Sequence, residues 1–309
     1  MIGIENIGVY IPENRQDNFS RIYDGEKLDA DFIKNKVGFF ATSRKNPDED
    51  TSDMCVKAFQ NLKERAGNFS EKDIECILVC SHNGDFQMPH TSAILQEKLS
   101  LNKNCAAFDV MLACAGYVYS VNILQSFMEQ NGFSKGVVFT CDPCSKILNP
   151  EDKSADLLLG DAATATLLST HGKFSICKST FTTTGKGYSA IIKRPNVFLS
   201  IDNRRIFRFV LREVTVTVKD CLKKNCLDAE NIDLYIFHQA SKFVVEDLAA
   251  KLGLPPEKVP FKAQEYGNTI SSSVPLLLQD YLDDTNLKNI LMCGFGAGMA
   301  AAATVIQRR

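Results

Sequence analysis

Short, densely apolar runs alternate along this chain with longer amphipathic stretches. The runs within DIECILVCSHNGD (Asp73 to Asp85), KGVVFTCDP (Lys135 to Pro143), NIDLYIFHQASKF (Asn231 to Phe243) and KNILMCGFG (Lys288 to Gly296) are rich in aliphatic residues and end in polar or glycine-containing turns. That is the pattern of buried strands. Between them lie periodic stretches of about 12–20 residues with helical spacing. Strands alternating with helices predict α/β layering with crossover connections, and exclude an all-β or helical-bundle fold.

The pattern also repeats itself. DIECILVC and NIDLYIFHQ are each a strand running into polar residues; each is followed by an amphipathic helix, ending LQEKLSL (Leu95 to Leu101) in the first case and LAAKLGL (Leu248 to Leu254) in the second. CAAFDVMLACAGYVYSVNIL then answers to VPFKAQEYGNTISSSVPLLL, and KGVVFTCDP to KNILMCGFG. The offset stays near about 155 residues, half the chain, which points to an ancient duplication rather than a solenoid. The expectation is two α/β halves, 1–170 and 171–309, packed as one compact unit, because no proline- or serine-rich linker separates them. The irregular, glycine-containing stretch from Thr180 to Asn203 is the expected mobile insertion.

Charge narrows the function. Thirty-five Lys and Arg against 37 Asp and Glu give a net charge of −2, so no global field is available to hold nucleic acid or an acidic membrane. The N-terminal MIGIENIGVYIPENR lacks a basic n-region and long apolar h-region, and no apolar run reaches the ~18 residues of a membrane span. The chain is expected in the cytoplasm. Its 11 cysteines are odd in number, scattered and mostly set among apolar neighbours, as reduced core residues are. Cys141 and Cys144 form a CxxC, but no second pair completes a tetrahedral metal site.

Three residues interrupt the pattern in ways that suit chemistry. Cys114 sits in FDVMLACAGYVYSVNILQSF, where an apolar run gives way through small residues to a helix. A helix N-terminus favours a thiolate, and Ala113, Ala115 and Gly116 leave room for a substrate carbonyl; the alternative is an inert buried cysteine. His238 ends the strand of NIDLYIFHQ, at the edge where parallel sheets place ligands, although a histidine there can simply bond a loop. Asn268, after Gly267 in EYGNTISSSVPLLL, can cap a helix or donate to a ligand. In the duplicated alignment Asn268 takes the slot of Cys114, and His238 takes the strand end of Ser81-His82. GFGAGMAAA (Gly294 to Ala302) lacks the spacing of a phosphate loop and instead suits close backbone approach to a reacting carbonyl.

AFDVMLACAGY, FHQAS, YGNTISSSVP and GFGAG, in that order, resemble the β-ketoacyl-acyl-carrier-protein synthase III family of the thiolase superfamily. The likeness extends through FQMPHTSAILQEKL, LLLGDAATATLL and IDNRRIF, nearly the whole chain. It implies a thiolase-like fold of two duplicated α/β halves in a layered αβαβα arrangement, no cofactor, homodimers, and acyl carrier protein and acyl-coenzyme A as partners. It further implies that Cys114 takes an acyl group from a donor thioester, and that His238 and Asn268 grip the malonyl thioester carbonyl during decarboxylative condensation. Backbone N–H groups of Cys114 and Ala297 would form the oxyanion hole, with Phe295 beside the thiol and Met88 presented to the partner subunit's acyl pocket. The bulky candidates Met88, Met111, Phe207 and Phe295 hint at a short acyl chain.

This chain departs from the family pattern at several positions. Ser241 replaces the usual asparagine of HQAN. Phe32, Lys36 and Lys153 stand where a tryptophan and arginines hold coenzyme A, and lysine lacks the flat, forked guanidinium. These departures suggest a pathway-specific relative with a weak nucleotide grip. Arg204, Arg208 and Arg212 recur every four residues and predict one basic helix face, with Lys242 and Lys251 brought near by the resemblance; it is either a solvated face or the carrier-protein dock. Alternatives at this stage are an acyltransferase using an oxygen or nitrogen acceptor without decarboxylation, a papain-like hydrolase (which also orders Cys, His, Asn but carries CGxCW), and a non-catalytic subunit, whose mark would be loss of the cysteine.

Overall fold

A computed structural model describes residues 1–309 apart from Asp24, Asn68 and the side chain of Ser154. Its centre is a ten-stranded sheet system built from β1 (Gly3–Tyr10), β2 (Cys76–Cys80), β3 (Ala106–Val110), β4 (Lys135–Cys141), β5 (Ala163–Ser169), β6 (Phe174–Ile176), β7 (Thr180–Thr183), β8 (Leu234–Phe237), β9 (Asn289–Gly296) and β10 (Ala300–Arg308). In the first half β2 runs parallel to β3 and β4, β4 is antiparallel to β5, and β5 is antiparallel to β1. The second half repeats this: β8 is parallel to β9, β9 antiparallel to β10, and β10 antiparallel to β6 and β7. Pairing of Gly3 with Ser175 and Ile4 with Phe174 joins the halves edge to edge. The duplication read from sequence thus recurs in the strand order, except that among the described residues β3 has no counterpart beside β8.

The strands are apolar on both faces because helices cover both. Along β2, Cys76, Leu78 and Cys80 face one core, while Ile77 and Val79 face another, the two-residue alternation of a strand. On the inner side lie α3 (Gly116–Asn131), through Tyr117, Val121 and Leu124, and α7 (Ser273–Gln279), through Val274, Leu277 and Leu278. Outside the first half are α1 (Thr51–Ala66) and α2 (Thr91–Lys98). Outside the second are α5 (Thr215–Lys224) and α6 (Lys242–Leu252). The order is helix, sheet, helix, sheet, helix, and the inner helices α3 and α7 begin beside Cys114 and Asn268.

Two local expectations differ from what is observed. The stretch Thr180 to Asn203 is largely ordered: β7 pairs with β10, Gly185–Ala190 forms 3₁₀ turns, and Ile191–Ile192 pairs with Ser200–Ile201. Its glycines serve turns, and Ala190 and Leu199 are buried. The arginine face is interrupted. Helix α4 (Asn203–Phe209) passes through a π-turn, Val210–Val214, before α5, so the four-residue spacing that aligns Arg204 with Arg208 does not carry to Arg212 in register. All three arginines are nevertheless exposed.

Candidate active site

Cys114 lies in the turn that leads into α3, two residues before the helix begins. The thiol is 7 % exposed and packs with Cys144, Leu148, Leu159, Leu199 and Ile270. Burial pushes it above the ordinary thiol range, the nearby Asp142 carboxylate adds to this, and the N–H groups of Cys114 and Ala297, directed at the sulfur, work against it. The resting group is therefore a neutral thiol. The thiolate favoured by a helix start is opposed here, because desolvation and the Asp142 carboxylate outweigh the N–H groups directed at the sulfur.

The glycines of β9 let the second half close on this thiol. A Cβ at Gly296 would lie 2.8 Å from both Cβ and Sγ of Cys114, and one at Gly294 would lie 2.4 Å from its carbonyl oxygen. Only glycine allows that approach. Phe295 between them is buried and turns its ring away to meet the His238 imidazole edge to face, with centroids 5.4 Å apart at 85°.

His238 follows the fully buried β8, and its N–H bonds the carbonyl of Cys293 at 2.9 Å. The ring is 2 % exposed, and its Nδ1 lies 2.6 Å from Ser273 Oγ at the start of α7. Burial lowers the imidazole to about 3, so it is neutral at any physiological pH. The Ser273 hydroxyl has one hydrogen and two acceptors in reach, His238 Nδ1 and the Ile270 carbonyl at 3.0 Å; when it goes to Nδ1, Nε2 carries the ring hydrogen and is the nitrogen left for a ligand. Ser241 instead caps α6, accepting from Val244 N–H at 3.3 Å. The hydroxyl at that position supports the helix, and Ser273 supports the histidine.

Asn268 is zipped in place by its backbone. Its N–H bonds Leu158 at 2.7 Å, and its carbonyl accepts from Gly160 at 2.9 Å. Gly267 before it has φ +81°, and an added Cβ would meet the Leu158 carbonyl at 2.8 Å. The Asn268 Oδ1 accepts from Ile270 N–H at 2.9 Å, which fixes the amide so that Nδ2 is free to donate. This bond is the local capping role foreseen for an asparagine there, and it orients the residue as well.

The remaining sequence-predicted residues fall into three groups. Ala297 lies with Cys114 through its N–H, whereas Phe295, expected beside the thiol, packs in the other core and meets His238 instead. Phe207 does not line the aliphatic shell of the thiol; it stacks on Phe243 at 5.3 Å and 21°, and Lys36 Nζ stands 4.2 Å over the Phe243 ring. Phe32 is half exposed beyond them, Lys153 opens the short helix Lys153–Asp156, Lys242 starts α6 with a 3.9 Å contact to Glu246, and Arg204 and Arg208 lie on α4. Met88 and Met111 are 86 % and 78 % exposed, so neither lines this chain's own pocket; a periodicity argument could not see that β3 is an edge strand. Sequence reasoning missed Ser273, Cys144, Leu148, Leu159, Leu199 and Ile270. The serine run after Asn268 was the one signal for the first of these.

A cysteine beside inward N–H groups, with a neutral histidine and an oriented asparagine at pseudo-equivalent ends of a duplicated sheet, fits a thiolase-fold enzyme. Two family models match the chain: 3-oxoacyl-[acyl-carrier-protein (ACP)] synthase III over residues 108–185, and its C-terminal counterpart over 222–308. A beta-ketoacyl-[acyl-carrier-protein] synthase III of Clostridium perfringens is 31 % identical over 99 % of this chain and 98 % of its own. One of Streptococcus sanguinis is 29 % identical over 98 % of both. The crystal structure of 3-oxoacyl-[acyl-carrier-protein] synthase III from Aquifex aeolicus superposes with TM-score 0.91 at 26 % identity, covering 99 % of this chain and all of that one. The chain belongs to the β-ketoacyl-acyl-carrier-protein synthase III family.

Proposed function

We propose that this enzyme loads an acyl group on Cys114 and condenses it with malonyl-acyl carrier protein, losing CO2. What supports the reading is an enclosed Cys114 thiol with the Cys114 and Ala297 N–H groups directed at it, in a chain that keeps a buried neutral His238 and an oriented Asn268 at the equivalent ends of its second half. In the first half-reaction the Cys114 sulfur attacks the donor thioester carbonyl, and the tetrahedral oxyanion is held by the N–H groups of Cys114 and Ala297. The donor thiol leaves with the proton given up by Cys114. In the second, Asn268 Nδ2 and His238 Nε2 donate to the malonyl thioester oxygen. Loss of CO2 leaves an enolate whose charge those two donors stabilise. Its carbon attacks the acyl-Cys114 thioester, and the sulfur departs as thiolate and takes a proton from solvent as the product leaves.

The low value of His238, about 3, fits this role. An imidazolium would hand its proton to the carbanion and quench it, whereas a neutral ring donates a hydrogen bond without giving the proton away. Retention of both His238 and Asn268 favours condensation over simple acyl transfer to oxygen or nitrogen.

In this reading the halves 1–170 and 171–309 work as one unit, each supplying one side of the site. Two copies associate through the exposed apolar edge formed by β3, Met111, Phe86 and Met88, an edge that a lone chain would leave open to pairing. Met88 then reaches the partner's acyl pocket. The enzyme works in the cytoplasm, where its eleven free thiols stay reduced; among the described residues no helix is long and apolar enough to cross a membrane. The donor arrives on coenzyme A or a carrier protein past Phe32, Lys36 and Lys153, and Arg204, Arg208 and Lys242 face the carrier. It needs no cofactor of its own.

The test is mass spectrometry of the Cys114 peptide after exposure to a panel of acyl thioesters, followed by malonyl-acyl carrier protein. An acyl mass on Cys114 that moves to the carrier as a β-ketoacyl group supports the reading. Release of the acyl group to water, or its passage to an oxygen or nitrogen acceptor with malonyl intact, contradicts it.

A further inference from the structure

Beside the thiol lies a charged pair that the reaction as written does not use. Asp142 follows β4, and its carboxylate is wholly enclosed. It accepts from the His82 backbone N–H at 2.8 Å, the Ser271 N–H at 3.3 Å and the Ser271 hydroxyl at 2.5 Å. His82 Nδ1 is 2.7 Å from Asp142 Oδ1, a close ion pair when the ring is protonated. One carboxylate thus ties together the end of β2, the end of β4 and the loop after Asn268. Ser271 adjoins Ile270, which holds the Asn268 amide through its N–H and packs in the same cluster as Cys114.

A carboxylate so enclosed is costly unless paired. Burial alone would raise the Asp142 carboxyl, yet the charge and closeness of His82, with the Ser271 hydroxyl, hold it below the ordinary carboxylate range. Burial works against the His82 imidazolium, and Asp142 outweighs it, so His82 lies above the ordinary imidazole value. Ser271, which holds Asp142, packs with Cys80 at the start of α3, where a Cβ on Gly116, two residues from Cys114, would lie 3.7 Å from Ser271 Cβ and 2.2 Å from Cys80 Sγ; the thiols of Cys80, Cys114, Cys141 and Cys144 are each pushed up by burial and further by Asp142. Lys146, bound to the carbonyls of Asn83 and Gly84, is already paired with Asp50, and Asp161 is held by Ser145.

We propose that His82 is a positioning residue for Cys114: as an imidazolium it compensates the Asp142 carboxylate, so that the thiol gives up its proton beside a neutral pair rather than beside a lone buried charge. The importance of this for turnover rests on Cys114 being the acyl acceptor; the electrostatic effect itself does not. Ser271 anchors the pair to the loop that holds Asn268.

Alkylation of Cys114 by iodoacetamide across pH, read on the Cys114 peptide by mass spectrometry, tests the pair without any substrate. His82→Gln should move the alkylation profile to higher pH and slow it about tenfold near neutrality, the effect of one unit in thiol acidity. Asp142→Asn should move it the other way. A mere opening of the site would speed both, so shifts in the same direction, or an unchanged profile in His82→Gln, overturn the proposal. Should Asp142→Asn fail to fold, NMR titration of the four histidines in the intact protein decides: the signal lost in His82→Gln must titrate above the ordinary imidazole value, and one titrating at or below it refutes the pair. Opposed alkylation shifts in a protein that takes no acyl group would sustain the pair and refute Cys114 as acceptor.

Discussion

Two histidines stand at corresponding strand ends of the two halves, and they carry opposite charge habits. His82 comes just after β2 and faces a buried carboxylate, Asp142, at 2.7 Å; His238 comes just after β8 and faces a hydroxyl, Ser273, at 2.6 Å. The first is raised above the ordinary imidazole value and the second is lowered to about 3. Backbone position is shared, so the difference comes from the partner and from burial. At two similar strand ends, Asp142 opposite His82 makes a charged pair, and Ser273 opposite His238 leaves a neutral ring.

The sharpest way to break this comparison is to remove the neutral end. His238→Ala or Asn268→Ala should lower malonyl decarboxylation by about 10²–10³-fold, as loss of one oxyanion donor does, while acyl loading on Cys114 stays within a few-fold. Equal loss of both activities would mean that the two ends do not divide the reaction. Next comes the hydroxyl that sets the His238 ring. Ser273→Ala should slow condensation by about tenfold, the worth of one net hydrogen bond, and Ser273→Thr should restore most of it; a Thr variant as slow as Ala would point to packing instead of ring orientation.

The histidines also pull stability in opposite directions with pH. Unfolded histidine protonates near about 6.5, but folded His238 does so only near about 3. Between those values the unfolded chain binds the extra proton, so stability falls as pH drops, by up to about 1.4 kcal/mol per pH unit. His82 is raised, so its contribution is complete below the ordinary value and is lost as pH rises through the folded one. Denaturant unfolding across pH should show the acid limb flattened in His238→Gln and the alkaline loss removed in His82→Gln. Unchanged limbs in these variants would contradict the assignment.

The smallest effect lies at the surface of the second half. Arg208→Glu should raise the apparent KM for carrier-borne malonyl by about three- to tenfold, with a small malonyl thioester mimic unaffected. A similar loss for both substrates would mean damage to the fold and not a lost docking contact.

The alternation of strands and helices and the elements that carry Cys114, His238 and Asn268 could be read from the chain because a duplicated pattern places them at equivalent points, and the apolar runs around them leave little choice of element. Their states could not. A cysteine near a helix start predicts a reactive thiolate, but whether the field of a helix end or burial prevails depends on the aliphatic shell of Leu148, Leu159, Leu199 and Ile270, drawn from distant segments. The arginine stripe failed to keep register because one π-turn, Val210–Val214, adds a residue to the winding, and nothing in the local spacing marks it. Met111 was expected among the bulky residues of the pocket; its place beside an edge strand leaves it facing outward. Ser273 became visible as the partner of His238 only once β8 and α7 were packed together.

The central claim is that the first half supplies the nucleophile and the second the enolate donors. Cys114→Ala tests it most directly, with acyl loading and CO2 release from malonyl-acyl carrier protein measured on the same preparation. The account predicts no covalent acyl group anywhere on the chain and continued CO2 release, because His238 and Asn268 are untouched. Acyl label appearing on another cysteine, or CO2 release falling away together with loading, would contradict it.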